Sequence, residues 1–289
     1  MEEQLLEEKI QQYRPWLIWA ASAALTLVLV VVCLVVGAGV PEEVPEETQA
    51  TEETVPEIQS PFPENPYGPE DFQLEDGFLT CLAGESVLGV DVSSFQGQID
   101  WNAVAGAGVK FAMIRVGGRG YGAEGKLYAD DWAQINYEGA KAAGLQVGGY
   151  FFSQATSVEE AIEEAAFALL QIQDWQLDMP IVFDWEYLNA EARTANVDKR
   201  TLTDATLAFC KTVELAGYEA MTYFNINQAD NHVYLEELTD YRGWLAMYTD
   251  QMTYPYKVDM WQYTNAGSIP GVDGPVDINL YFPHENKNP

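Results

Sequence analysis

From residue 87 to residue 281, short β-rich runs alternate with helical patterns, and few architectures accommodate that spacing. Runs of β-branched and aromatic residues predict strands over 87–93, 111–116, 146–153, 181–187, 220–226, 244–248, 259–263 and 276–281. Apolar residues at helical spacing predict helices over 101–107, 130–143, 158–172, 202–216 and 229–238. Gly144 and Gly217 stand where helix C-terminal glycines belong, each shortly before a strand. Ser157 with Glu160 makes a capping-box pattern at the head of the third helix. Such alternation means a parallel sheet, and eight strands suggest closure into an α/β barrel of the TIM type. An open doubly wound sheet is the alternative. No G-x-G-x-x-G follows the first strand, where the chain reads Ser93-Ser94-Phe95-Gln96-Gly97.

Near the middle, the apolar run Pro180-Ile181-Val182-Phe183 delivers Asp184 and Glu186, with Trp185 between them. On a strand these carboxylates project to one side, roughly 6–7 Å apart at the backbone. Two close carboxylates push each other's pKa values apart, leaving a proton donor beside an anion, as acid-assisted glycosidic cleavage requires. An exposed acidic strand end is the other reading of a lone D-x-E. In a barrel the site lies at the C-terminal strand ends, which also supply Asp91 and Asp277. The same ends bring Tyr150, Phe152, Gln154, Tyr187, Tyr223, Asn225, Tyr248, Trp261, Gln262 and Tyr263. Any one of these aromatics is as well read as core, but the set suits a carbohydrate cleft.

The chain is strongly acidic, with 14 Lys plus Arg against 45 Asp plus Glu. From Gly77 onward 12 basic residues face 29 acidic ones. Nucleic acid is therefore not an expected partner, because phosphate binding needs Lys and Arg. Cys81 and Cys210 could pair but would form no disulfide framework. His232 and His284 lack ligand-like spacing, so no metal site is expected.

Residues 16–40, from Trp16 to Val40, carry no charge and are long enough as a helix to cross a bilayer. Lys9 and Arg14 precede them and the next Lys or Arg is Lys110, so the N-terminus is expected to be cytoplasmic. A cleaved signal peptide is the competing reading. Residues 41–76 are rich in Pro, Glu and Thr without Lys or Arg, the composition of a disordered acidic stalk. The expected organisation is a tail over 1–14, a membrane span over 15–40, a linker over 41–76 and a globular domain over 77–289.

Several motifs, in order, resemble the glycoside hydrolase family 25 lysozymes. They are Gly89-Val90-Asp91-Val92-Ser93-Ser94-Phe95-Gln96-Gly97 with Ile99-Asp100-Trp101, then Phe111-Ala112-Met113-Ile114-Arg115 and Tyr150-Phe151-Phe152-Ser153. Phe183-Asp184-Trp185-Glu186, Trp261-Gln262-Tyr263 and Val276-Asp277-Ile278-Asn279 complete them. The resemblance spans about residues 86–282. It implies a (β/α)5β3 barrel, without metal or cofactor, acting as a monomer on peptidoglycan. The bond cleaved would be the β-1,4 link between N-acetylmuramic acid and N-acetylglucosamine. By motif position Glu186 would be the general acid and Asp184 would assist the substrate's 2-acetamido group. Asp91 and Asp277 would hold geometry and field. With the anchor, this implies a membrane-tethered, extracytoplasmic bacterial muramidase. A catalytically silent wall-binding module and a glycosidase on chitin-like polymers are the alternatives. Two departures stand out: Tyr150-Phe151 where many members have Tyr-His, and a glycine-heavy loop over 117–122.

Overall fold

The structure, a computed structural model, describes residues 62–283. The expected tail, the span over 15–40 and most of the linker lie outside the described residues. Among the described residues no helix is long and apolar enough to cross a membrane.

The first described element pair is a hairpin, β1 (Phe72–Glu75) and β2 (Phe78–Cys81). Its turn is Asp76-Gly77, with φ of 51° and 90°, the backbone that two-residue hairpin turns demand. The hairpin therefore straddles the boundary expected between residues 76 and 77. Upstream of it, Asn65 N–H donates to Pro255 C=O, and Lys257 N–H donates to Pro63 C=O.

Nine further strands form one sheet: β3 (Val87–Val92), β4 (Phe111–Arg119), β5 (Leu127–Ala129), β6 (Gln146–Ser153), β7 (Ile181–Trp185), β8 (Ala220–Asn225), β9 (Arg242–Ala246), β10 (Met260–Gly267) and β11 (Val276–Tyr281). Pairing of β3 with β4 closes eight of them into a barrel, with β5 hairpinned onto the end of β4. Neighbouring barrel strands run parallel from β3 through β10, whereas β11 is antiparallel to both its neighbours. The helices are α1 (Trp101–Gly106), α2 (Ala133–Ala142), α3 (Val158–Gln171), α4 (Lys199–Leu215) and α5 (Ile226–Asn231). Five strand–helix units thus precede three strands without helices.

Local chemistry accounts for the helix ends. Asp100 Oδ1 accepts from Asn102 and Ala103 N–H at the head of α1, and Asp198 Oδ1 accepts from Thr201 N–H at the head of α4. Gly144 and Gly217, with φ of 80° and 89°, make the left-handed turns after α2 and α4. Ser157 caps α3 through its Oγ, but the expected reciprocal box does not form. The Glu160 carboxylate instead accepts from Thr156 N–H and pairs with Arg193.

Side-chain alternation sorts the strands into two cores. Outward residues such as Ile181, Phe183 and Trp185 pack under the helices. Inward residues, among them Phe111, Met113, Val182, Met221 and Trp244, fill the barrel. Gly89 admits the Phe111 ring, which a Cβ there would meet at 2.2 Å. The helix-free wall is covered by the N-terminal segment. Phe72 packs edge-on against Trp261, and Leu79 N–H donates to Tyr263 Oη on the outward face of β10. Cys81 and Cys210 are buried free thiols, so the conceivable disulfide does not form.

Candidate active site

The methionine-rich filling stops short of the C-terminal strand ends, leaving a cavity of about 500 Å³ there. Along β7, Val182 lies in the barrel core, Asp184 follows on the same face, and Glu186 lies just beyond the strand. Both carboxylates line the cavity with Asp91 and Asp277. Asp277 is the second residue of its strand rather than near its end. It reaches the mouth because β11 runs antiparallel, opposite Asp91 in register.

The floor is a directed hydrogen-bond chain. Tyr223 and Tyr248 hydroxyls donate to Gln262 Oε1, at 2.9 and 3.2 Å. Gln262 Nε2 donates to Asp91 Oδ2 at 2.8 Å. From the other side Trp244 Nε1 donates to Asn279 Oδ1, and Asn279 Nδ2 donates to the same Asp91 oxygen at 2.8 Å. Each amide is thereby fixed in one orientation.

Asp184 differs: its Oδ1 is buried and has no hydrogen-bond partner among the described residues. Burial first, then Glu186 and Asp91, pushes the Asp184 carboxyl well above its usual range, while Arg115 pulls the other way. Burial and then Asp277 raise both Asp91 and Glu186, and burial lifts Asp277 to about 6. Each of the four carboxyls therefore keeps its proton to higher pH than an exposed Asp or Glu does. A cleft that keeps a carboxylic acid beside an anion is equipped to protonate a leaving oxygen and to stabilise positive charge.

Arg115 lies on the cavity wall, with Nε donating to Asp130 Oδ2 at 2.8 Å, and sits 5.0 Å from the exposed Phe95 ring. Arg119, also lining the cavity, is held by Glu163 and Glu164, each at 2.7 Å. A charged residue inside the apolar run Phe111-Ala112-Met113-Ile114-Arg115 was the available signal for the first of these. Phe95, Tyr121, Tyr128, Leu188 and Trp244 also line the cavity. Period-two parity on the ninth strand, with Ala246 in the barrel core, marks Trp244 as inward.

Of the expected binding residues, Tyr150, Phe152, Tyr223, Tyr248 and Gln262 line the cavity. Trp261 does not. Alternation with inward Met260 and Gln262 turns it outward, where its Nε1 donates to Met247 C=O. Tyr263 faces out for the same reason. Tyr187 shares the outward parity of Trp185 and stacks on His232. Asn225 caps α5, accepting from Gln228 N–H. Gln154 has the inward parity but is fully buried behind the wall, bonded to main chain and to Thr194. Phe151 points outward against Phe167 and Phe209, so that position does not face the cavity. The glycines at 117 and 118 continue β4 instead of forming a loop, and a Cβ on Gly117 would meet Tyr128 C=O at 2.4 Å.

Comparison with known proteins gives three bearings. A curated relative, the uncharacterized protein YegX of Escherichia coli, is 27% identical over 217 residues, covering 69% of this chain and 71% of that one. The autolytic lysozyme of Clostridium acetobutylicum is 26% identical over 194 residues, covering 67% of this chain and 55% of its own length. Among solved structures, the modular autolysin LytC of Streptococcus pneumoniae shares the fold with a TM-score of 0.61 at 22% identity. That match covers 73% of this chain and 52% of LytC, a protein also solved in complex with a synthetic peptidoglycan ligand. This chain thus spans about half the length of the two autolytic proteins. The model of glycosyl hydrolases family 25 matches residues 90–272, well over half of the chain and the acidic site apart from Asp277 and Asn279. On that match and the barrel described above, the chain belongs to glycosyl hydrolase family 25.

Proposed function

We propose that the protein is a lysozyme of the N-acetylmuramidase type, cleaving the β-1,4 bond between N-acetylmuramic acid and N-acetylglucosamine of peptidoglycan. The observation that carries this reading is the buried, unpartnered Oδ1 of Asp184 beside Glu186. A buried acceptor without a donor is costly, and a substrate acetamido N–H is a donor of the right kind to complete it. Glu186, raised by burial, gives its proton to the glycosidic oxygen as the bond to the anomeric carbon breaks. The carbonyl oxygen of the substrate's own acetamido group attacks that carbon, while Asp184 holds the N–H and balances the positive charge. Water then opens the cyclic intermediate, giving its proton to Glu186, with net retention. Substrate-assisted retention of this kind needs no protein nucleophile. Asp91, tied by Gln262 and Asn279, and Asp277 keep the field of the cleft negative. The names of the autolytic lysozyme and of LytC, with its peptidoglycan complex, agree with the substrate class.

The same proposal includes attachment to the bacterial membrane through residues 16–40, with the N-terminus cytoplasmic and the barrel outside. A tether would raise the local concentration of an acidic enzyme that gains no electrostatic attraction to the wall. The test compares the full chain with Glu186→Gln on purified sacculi. Soluble muropeptides with new reducing ends are expected from the first and a loss of at least a hundredfold from the second. Equal release by both, or sedimentation with sacculi without new reducing ends, refutes the assignment.

A further inference from the structure

Glu186 is the first residue past β7, where the backbone ladder has run out. The pairing of β6 with β7 ends at Ser153 opposite Trp185, and that of β7 with β8 ends at Asp184 opposite Tyr223. Gln154, the first residue past β6, carries the pairing one residue further with its side chain. Its Nε2 donates to Glu186 C=O at 3.0 Å and to Ser153 C=O at 2.8 Å, while its Oε1 accepts from Thr194 Oγ1 at 3.1 Å. Both amide protons and the amide oxygen are engaged, which fixes which end of the amide is which.

The same residue also grips the far end of the segment that follows. Residues 187–192 leave the barrel beyond Glu186, with Tyr187 and Leu188 exposed and Leu188 lining the cavity, and the chain returns at Arg193 and Thr194. Arg193 Nη1 donates to Gln154 C=O at 2.6 Å and pairs with Glu160, and Thr194 is buried against the Gln154 amide. A rim segment is thus clasped at both ends by one glutamine.

We propose that Gln154 is a positioning residue for Glu186, setting the main chain from which that carboxyl projects into the cleft, with Thr194 holding the glutamine in its donating orientation. The inference rests on the assignment of Glu186 as the acid. Misplacing a reacting group by about 1 Å costs on the order of a hundredfold in rate, so a small main-chain shift at Glu186 is enough to be measured.

The experiment uses the full chain and the variants Gln154→Met, Thr194→Val and Thr194→Ser. The readouts are kcat and KM on soluble glycan fragments, thermal midpoint, and the carboxyl 13C titration of Glu186. Gln154→Met keeps the length and loses every polar bond. It is expected to lower kcat about ten- to a hundredfold with KM within about threefold, and to displace the Glu186 titration. Thr194→Val is expected to do the same more weakly, and Thr194→Ser, which keeps the hydroxyl, to resemble the parent. An unmoved Glu186 titration in Gln154→Met overturns the proposal, whether or not stability falls, because a merely structural role predicts that result. If Gln154→Met does not fold, Thr194→Val against Thr194→Ser carries the same comparison, and identical titrations for those two overturn it. A parent chain without activity would instead refute the muramidase reading, and the titration would still decide the role of Gln154.

Discussion

Replacing Asn279 by leucine would break the floor of the cleft in two places. Asn279 Nδ2 donates to Asp91 Oδ2 at 2.8 Å, and its Oδ1 accepts from Trp244 Nε1 at 2.9 Å. Asn279 and Trp244 are 0% and 1% exposed, so the indole N–H is left without an acceptor, whereas Asp91, on the cavity wall, keeps its bond from Gln262. A neutral hydrogen bond contributes about 0.5–1.5 kcal/mol, and one to a charged acceptor about 1.5–3 kcal/mol. Leaving a buried indole N–H without an acceptor costs about 1–3 kcal/mol. Leucine has similar volume and returns some apolar burial, so the net loss for Asn279→Leu is expected at about 2–4 kcal/mol. Urea unfolding followed by tryptophan fluorescence measures it, with the slope checked for two-state behaviour. A cycle with Trp244→Phe isolates the indole share. With no N–H left to orphan, Asn279→Leu should cost about 1–2 kcal/mol less in the Trp244→Phe background. A single-variant loss below about 1 kcal/mol, or additivity within about 0.5 kcal/mol, would refute the directed chain as a source of stability.

Two further outcomes follow from the packing around the cleft. Glu164 is buried against Arg119 and Ser153, and desolvation outweighs those partners enough to lift its carboxyl to about 7. Its folded pKa lies above the ordinary 4.5, so its ionised form is the costly one. Glu164 should therefore cost stability as pH rises from 4.5 towards 7, by about 3 kcal/mol at most, in addition to the same-signed share of the cleft carboxyls. Glu164→Gln should remove the Glu164 share of that slope, and denaturant midpoints for parent and variant that run parallel from pH 4.5 to 8 would contradict it. Gly89→Ala places a methyl 2.2 Å from the Phe111 ring inside the barrel. Overpacking there should cost about 1–3 kcal/mol, and a melting temperature unchanged within about 1 °C would show that the ring moves aside freely.

Strand identity was readable in the chain because the barrel wall is built from runs long enough to show their type. The strands at Gln146–Ser153 and Val276–Tyr281 fall where β-propensity puts them, and four helices err by at most a few residues at their ends. The helix expected over 229–238 runs instead over Ile226–Asn231, with a separate 3-10 turn at Leu235–Glu237. The first strand pair was readable too, in the Asp76-Gly77 turn between Phe72-Gln73-Leu74-Glu75 and Phe78-Leu79-Thr80-Cys81, but the acidic, proline-rich stretch before it masks that signal. Alternation also contained a warning. Trp261 and Gln262 are adjacent on one strand and cannot both face the cleft, and the same holds for Glu186 and Tyr187.

What the residues determined by themselves is local: period-two runs, capped helices, and a carboxylate pair two apart that must share a face. Closure into a barrel decided the rest, because only closure says which face is inside. It brings Asp277 to the mouth from a strand that runs the opposite way, and it turns Trp261 towards Phe72 on the outer wall. It draws Gln154 off the cleft and onto the main chain of Glu186. Those outcomes depend on strand direction and on contacts between residues 32 to 189 positions apart, and no local pattern of side chains encodes them.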